Sequence, residues 1–126
     1  MPKVNKSSAT RGSDHGPVVD RAGELSGYTV NFVEFREDID ATPLLRGLPD
    51  DRCQCPHGGS VIRGRMTMRF GDREELYETG DAFYCPPGHV PVRHEPGTQI
   101  VQFSPSEELR NTEAVMMKNM PTMRRA

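Results

Sequence analysis

Little in this chain points to a membrane, to secretion or to nucleic acid. No apolar stretch approaches the roughly 18 residues that a membrane span needs. The N-terminal "MPKVNKSSATRGSDHG" lacks the apolar middle of a secretion signal, so the expected compartment is the cytoplasm. The formal net charge is only -2, and the arginines are scattered among acids with no block of like charge. Neither nucleic acid nor an acidic membrane surface is therefore expected as a partner. Cysteine is scarce and odd in number, at three residues. This is unlike the even disulfide framework of small secreted domains, and reduced thiols are expected. Hydrophobic residues make up 34% of the 126, and mean hydropathy is -0.67. Such a polar chain of this length has room for one domain with one small core, the remainder being tail.

What is present divides into three parts. Residues 1–25 hold Lys, Ser, Thr, Arg, Gly, Asp and Pro with few large apolar groups, which predicts a flexible N-terminal arm. Residues 26–105 are expected to form the folded body. There "GYTVNFVEFRED" is dense in β-branched and aromatic residues, and Tyr28, Val30 and Phe32 alternate as one face of a strand would require. "ATPLLRGLPDD" reads as a loop, because its prolines and glycine disfavour both helix and central strand. "RMTMRF" sets Met66, Met68 and Phe70 against Arg65, Thr67 and Arg69, a strand with one buried face. A turn with Gly71 and Asp72 at its tip then leads to "ELYET" as hairpin partner. Further short strands punctuated by Pro and Gly follow, with no helix between them, and an antiparallel all-β sandwich or barrel is expected.

Residues 106–126 change character and predict a short C-terminal helix and tail. Ser106 is placed to cap the helix, with Glu107 and Glu108 in its first turn and Pro121 as its limit. Leu109, Val115, Met116 and Met117 supply an apolar stripe for packing on the barrel or on a second subunit.

The chemistry is concentrated in "DRCQCPHGGSVIRG", residues 51–64, where Asp51, Cys53, Cys55 and His57 are crowded together. The spacing of this segment and of a second one resembles the two motifs of the cupin superfamily. The first motif of that family has the form H-x-H, a short gap, E, then G. Counting back from Gly64 sets His57 at the glutamate position, Cys53 at the second histidine and Asp51 at the first, so a variant D-x-C-x-x-x-H replaces H-x-H-x-x-x-E. The second motif is matched by Gly80 followed by "PPGH", Pro86 to His89, although the family's last histidine position holds Pro91. Gly64 and Gly80 are 15 residues apart in the sense of intervening positions, the short spacing of small single-domain bacterial cupins. The resemblance covers about residues 27–104.

The resemblance implies a double-stranded β-helix with its ligand site inside. Alternation along a strand would then turn Asp51, Cys53 and Cys55 to the interior, and Pro56 with the glycines would bring His57 round from the next strand. His89 would join from the stiff "PPGH" turn. A divalent metal held by Cys53, His57 and His89 is expected, with Asp51 as fourth ligand or orienting a histidine. A thiolate with imidazoles suits zinc first, with iron or nickel as the other candidates. The alternative reading makes the cysteines small apolar fillers, with Cys55 and Cys85 the better cases, and makes His57 a core histidine bonded to Asp51 in a metal-free pocket. Arg93 is a candidate to hold a substrate carboxylate, or is simply exposed; His94 is expected to be solvated. Gly58 and Gly59 are expected to widen the pocket.

Two function classes stay open. One is a metal-dependent enzyme, an oxidoreductase, isomerase or lyase acting on a small organic acid or sugar, in which His57 or Asp51 moves a proton. The other is a non-catalytic sensor or carrier for a small molecule. A homodimer is expected in either case, to cover "TVNFVEF" as an apolar edge strand.

Overall fold

The computed structural model describes residues 3–9 and 11–120. Nine strands and one helix follow one another as β1 (Arg11–Asp14), β2 (Val18–Leu25), β3 (Tyr28–Phe35), β4 (His57–Arg63), β5 (Arg65–Phe70), β6 (Arg73–Glu78), β7 (Ala82–Cys85), β8 (His89–His94), β9 (Thr98–Pro105) and α1 (Ser106–Asn119). Short 3-10 turns at Thr42–Leu45 and Pro49–Asp51 occupy the loop after β3. Two antiparallel sheets form, one of six strands in the order β1-β2-β3-β9-β4-β7 and one of three in the order β6-β5-β8. Val33, Val61, Met66, Met68, Tyr77, Phe83, Cys85 and Ile100 pack between them as one core. The expected all-β barrel with a C-terminal helix is thus the observed architecture.

Several local readings hold. Met66 and Met68 are each 3% exposed, and the Gly71–Asp72 turn joins β5 to β6. The helix carries Glu107 and Glu108 in its first turn and ends at Asn119; Pro121 and the tail 121–126 lie outside the described residues. Leu109 is buried and Met116 packs against the same apolar cluster, whereas Met117 is 59% exposed. Ser106 is not the helix cap. Its hydroxyl is instead hydrogen-bonded to Thr29 Oγ1 at 2.8 Å, and Pro105 holds the cap position without a side-chain bond.

The largest correction concerns the arm. Residues 11–25 are strands, not a flexible segment: β2 pairs with β3 along its whole length, from Val18↔Phe35 to Leu25↔Tyr28, and β1 pairs with β2. Composition misled because the stabilisation comes from a full main-chain ladder on β3 rather than from a run of apolar side chains. The missed signal is Ser26-Gly27, whose φ values of 48° and 82° make the two-residue hairpin turn. With β2 in place, β3 lies between β2 and β9. "TVNFVEF" is therefore not an edge strand, and the expected reason for a dimer disappears. β3 is buried on both faces, with Val30 only 1% exposed on the side opposite Val33. Asn31, Val33 and Phe35 line the interior, while Tyr28 is half exposed and Phe32 lies on the outer side.

Gly58 and Gly59 do not widen the interior. A Cβ on Gly59 would overlap the Val101 carbonyl oxygen and come within 3.0 Å of the Phe83 ring, so this glycine lets β4 and β9 close. A Cβ on Gly58 would meet only Phe83 O, at 4.0 Å. Gly59→Ala should therefore destabilise the fold by about 2 kcal/mol or more, as expected where backbone must shift, and Gly58→Ala by less than about 1 kcal/mol. Urea unfolding of the two variants side by side checks this; equal losses would contradict the close approach at Gly59.

Candidate metal centre

Three segments supply the centre. His57 opens β4 and His89 opens β8, while Cys53 lies in the connection before β4. Cys53 is tied to the start of β8 by two main-chain bonds, Cys53 N–H to His89 O at 3.0 Å and Gly88 N–H to Cys53 O at 2.8 Å. Gly88 has a φ of 100°, which a side-chain-bearing residue rarely adopts, and this places His89 directly against the bridge. Cys53, His57 and His89 are all buried, and one ligand atom from each lies within 4.8 Å of the others. The Cys53 Sγ to His57 Nε2 distance is 3.5 Å, and the two imidazoles meet edge to face at 4.9 Å between centroids.

Each imidazole has its other nitrogen engaged. His57 Nδ1 is 2.6 Å from the hydroxyl of Ser104, a fully buried residue on β9 one step beyond the Gly58↔Phe103 pair. His89 Nδ1 donates to the Pro86 carbonyl at 2.8 Å. A proton fixed on His89 Nδ1 leaves Nε2 with its lone pair, and the Ser104 hydroxyl, able to donate or accept, holds the His57 ring in place through Nδ1. Burial pushes the His57 pKa down to about 3, with the neighbouring His89 adding to the effect. Burial also lowers His89 and raises the Cys53 thiol. These groups are thus held neutral by desolvation.

The other expected site residues fall elsewhere. Asp51 is exposed and accepts a hydrogen bond from Gly47 N–H at 3.0 Å. Strand alternation does not reach it, because Asp50 and Asp51 have φ values of 56° and 54° within a 3-10 turn. It is neither a ligand nor a proton carrier for this cluster. Cys55 is buried with Leu45, Val90 and Leu109 beneath the helix, and its thiol is pushed up to about 12, chiefly by burial. Cys85 is fully buried in the core beside Tyr77, its thiol likewise raised to about 12.

Arg93 and His94 exchange the places expected of them. The pairing of β8 with β5 shifts register so that Thr67 faces Arg93 while Met68 faces Pro91, and Val92 is the extra residue. That bulge inverts the alternation. Arg93 is exposed, whereas His94 is 2% exposed and stacks on Phe35 at 3.9 Å. Arg93 is not on the cavity wall.

A cavity of about 350 Å³ opens beside the cluster. Its wall includes Cys53, His57 and His89, apolar side chains such as Met66, Met68 and Ile100, and the polar residues Asp20, Asn31 and His94. Sequence reasoning missed Ser104, Asp20, Asn31 and His94. A serine at the β9 end carries no motif, and Asp20 lay in the segment read as unstructured.

The acid response of the metal-free protein follows from the buried imidazoles. Folding lowers the His57, His89 and His94 pKa values from the ordinary 6.5, so the unfolded chain binds more protons in acid. Their contribution is complete above about pH 6.5 and is lost as the pH falls below it, at about 1 kcal/mol per pH unit for each histidine until that residue's own lowered pKa is reached, about 3 for His57. Thermal unfolding between pH 8 and pH 4 should show a flat upper limb and a steep fall below pH 6.5. A midpoint that stays constant down to pH 4 would contradict this burial.

No family profile matches the sequence, and no curated protein matches it significantly. Solved structures do match. A protein of unknown function from Rhizobium leguminosarum bv. viciae 3841 superposes with a TM-score of 0.59 at 18% identity, over 82% of this chain and 95% of that one. KdgF from Halomonas sp. gives a TM-score of 0.56 at 20% identity, over 81% and 92%. A cupin-2 domain containing protein from Shewanella frigidimarina gives 0.50 at 18% identity, over 68% and 78%. Together with the two antiparallel sheets, these likenesses establish the fold of this chain as the cupin double-stranded β-helix.

Proposed function

We propose that the barrel binds a divalent metal through Cys53, His57 and His89 and holds a small organic molecule beside it, as a metal-dependent enzyme of small-molecule chemistry. The observation that supports this reading is the convergence of three ligand atoms within 4.8 Å, with both imidazole Nδ1 atoms already engaged. Ligand atoms around a tetrahedral zinc stand about 3.3–3.8 Å apart. A modest contraction of the cluster would therefore suffice, and the Sγ to Nε2 separation of 3.5 Å already falls in that range. One thiolate and two imidazoles suit zinc best, with iron or nickel next. Three protein ligands beside a cavity leave a coordination position for water or substrate, the arrangement of a catalytic rather than a structural metal. The metal would supply Lewis-acid polarisation of a bound oxygen. Ser104 and the Pro86 carbonyl keep the two imidazoles oriented, and the apolar wall excludes water.

A second reading has its own support. Burial keeps Cys53 protonated and His57 uncharged, and a largely apolar cavity of about 350 Å³ is suited to a metal-free carrier or sensor. A homodimer also remains in the proposal, now on different grounds: Tyr84 and Phe103, 62% and 43% exposed, flank Gly58 on the outer face of the six-stranded sheet. Light scattering of the purified protein should give twice the chain mass, and a monomer at micromolar concentration would remove the dimer.

Metal content decides between the two readings. Untagged protein grown with metal should retain close to one equivalent, His57→Ala and Cys53→Ser should retain almost none while still folded, and Ser104→Ala should weaken binding about ten- to hundredfold. Less than about a tenth of an equivalent in the parent protein would favour the metal-free module.

A further inference from the structure

Away from the three clustered ligands, the cavity wall carries two carboxylates, Asp20 and Glu113, the His15 imidazole, the neutral polar side chains of Gln102 and Thr112, and among the described residues no lysine or arginine. Asn31 Nδ2 donates to both Asp20 oxygens at 3.0 Å. This fixes the amide so that Asn31 Oδ1 is buried without a donor, in a residue only 3% exposed. His94 repeats the pattern. Its Nδ1 donates to the Ile39 carbonyl at 2.8 Å, and its Nε2 is left as a buried acceptor with no partner. The stack on Phe35 holds the ring in that orientation. Buried acceptors without donors are rare in folded proteins and costly.

Both carboxylates are partly withdrawn from water, and among the described residues Asp20 has only the neutral Asn31 amide as its hydrogen-bond partner. Burial raises Asp20 and Glu113, and Asp20 raises Glu113 further. Arg11 opposes both shifts from an exposed position outside the wall, and His15 opposes that of Asp20. Two desolvated carboxylates and two bare acceptors are complementary to a cation with several N–H donors, and they repel a carboxylate.

We propose that the cavity selects an organic amine, whose ammonium group donates to Asp20, Glu113 and Asn31 Oδ1 while its carbon skeleton lies along the apolar wall. This deepens the reading of the cavity as a small-molecule site and reverses the charge expected when Arg93 was a candidate to hold a carboxylate. The acidic wall is made of other residues than the Cys53, His57 and His89 cluster, so it can be tested with and without metal.

The probes are 1,6-diaminohexane, 1,6-hexanediol and adipate, matched in chain length and different only in their ends. They are titrated calorimetrically into zinc-loaded and chelator-treated protein, with metal content measured after each run. The diamine should bind at least about tenfold more tightly than either other probe in both forms of the protein. Glu113→Gln and, separately, Asp20→Asn should weaken the diamine about fivefold or more and leave metal content unchanged. Circular dichroism confirms folding; Glu113 lies on the helix and makes no bond to Asn31, so its variant remains informative if Asp20→Asn unfolds. Tighter binding of adipate or hexanediol, no binding by any probe, or diamine binding indifferent to Glu113→Gln overturns the proposal. If zinc fails to load and the diamine still binds through Asp20 and Glu113, the metal reading falls and this one stands.

Discussion

Two main-chain hydrogen bonds between Cys53 and the Gly88–His89 peptide hold the candidate centre together. They join a connection that has no regular structure of its own to the first residue of β8, across 35 positions of sequence. Without them Cys53 would be free to move with the loop, and the thiol would have no fixed relation to either imidazole. Gly88 makes the tie geometrically available through its positive φ, and the Pro86 carbonyl then accepts a hydrogen bond from His89 Nδ1–H. One local arrangement of backbone thus sets both the position of the thiol and the tautomer of a histidine.

The same interior must accommodate groups that prefer water. His57, His89 and His94 are buried neutral, and each has a neighbour on Nδ1: a serine hydroxyl, the Pro86 carbonyl and the Ile39 carbonyl. Those single bonds offset only part of the desolvation. The unspent polarity faces a cavity that is otherwise lined by methionine, isoleucine and leucine. Among the described residues the two buried side-chain atoms without a partner, Asn31 Oδ1 and His94 Nε2, are both acceptors, and with the Asp20 and Glu113 carboxylates they favour donors over anions on that part of the wall. The three clustered ligand atoms and the Asp20–Asn31 pair are thus different residues on the wall of one cavity.

Reading strands from this sequence worked where alternation was driven by side chains. Met66 and Met68 show their burial in the letters themselves, as does the Gly71–Asp72 turn between two strands. It failed where backbone alone made the structure. The strand from Val18 to Leu25 has two valines at its start and charged residues after them, and only the open edge of β3 makes it a strand. Tyr28, Val30 and Phe32 share one face of β3 as their alternation suggests, but the letters do not say which face is inner, and packing turns Asn31 to the cavity.

For the site, the sequence by itself pointed to the fold type and to three of the groups that meet, since the spacing of glycines, prolines and ligand-capable residues sets His57 and His89 at two strand starts and Cys53 in the connection just before the first of them. It did not exclude Asp51, because the left-handed φ values at Asp50 and Asp51 arise from how that loop turns. Nor did it distinguish Arg93 from His94, because a single unpaired residue at Val92 reverses the faces of everything after it. Only the tertiary structure decided these points. Side-chain direction along a strand is a property of its pairing with a neighbour, and a one-residue irregularity in that pairing leaves no mark on the residue types involved.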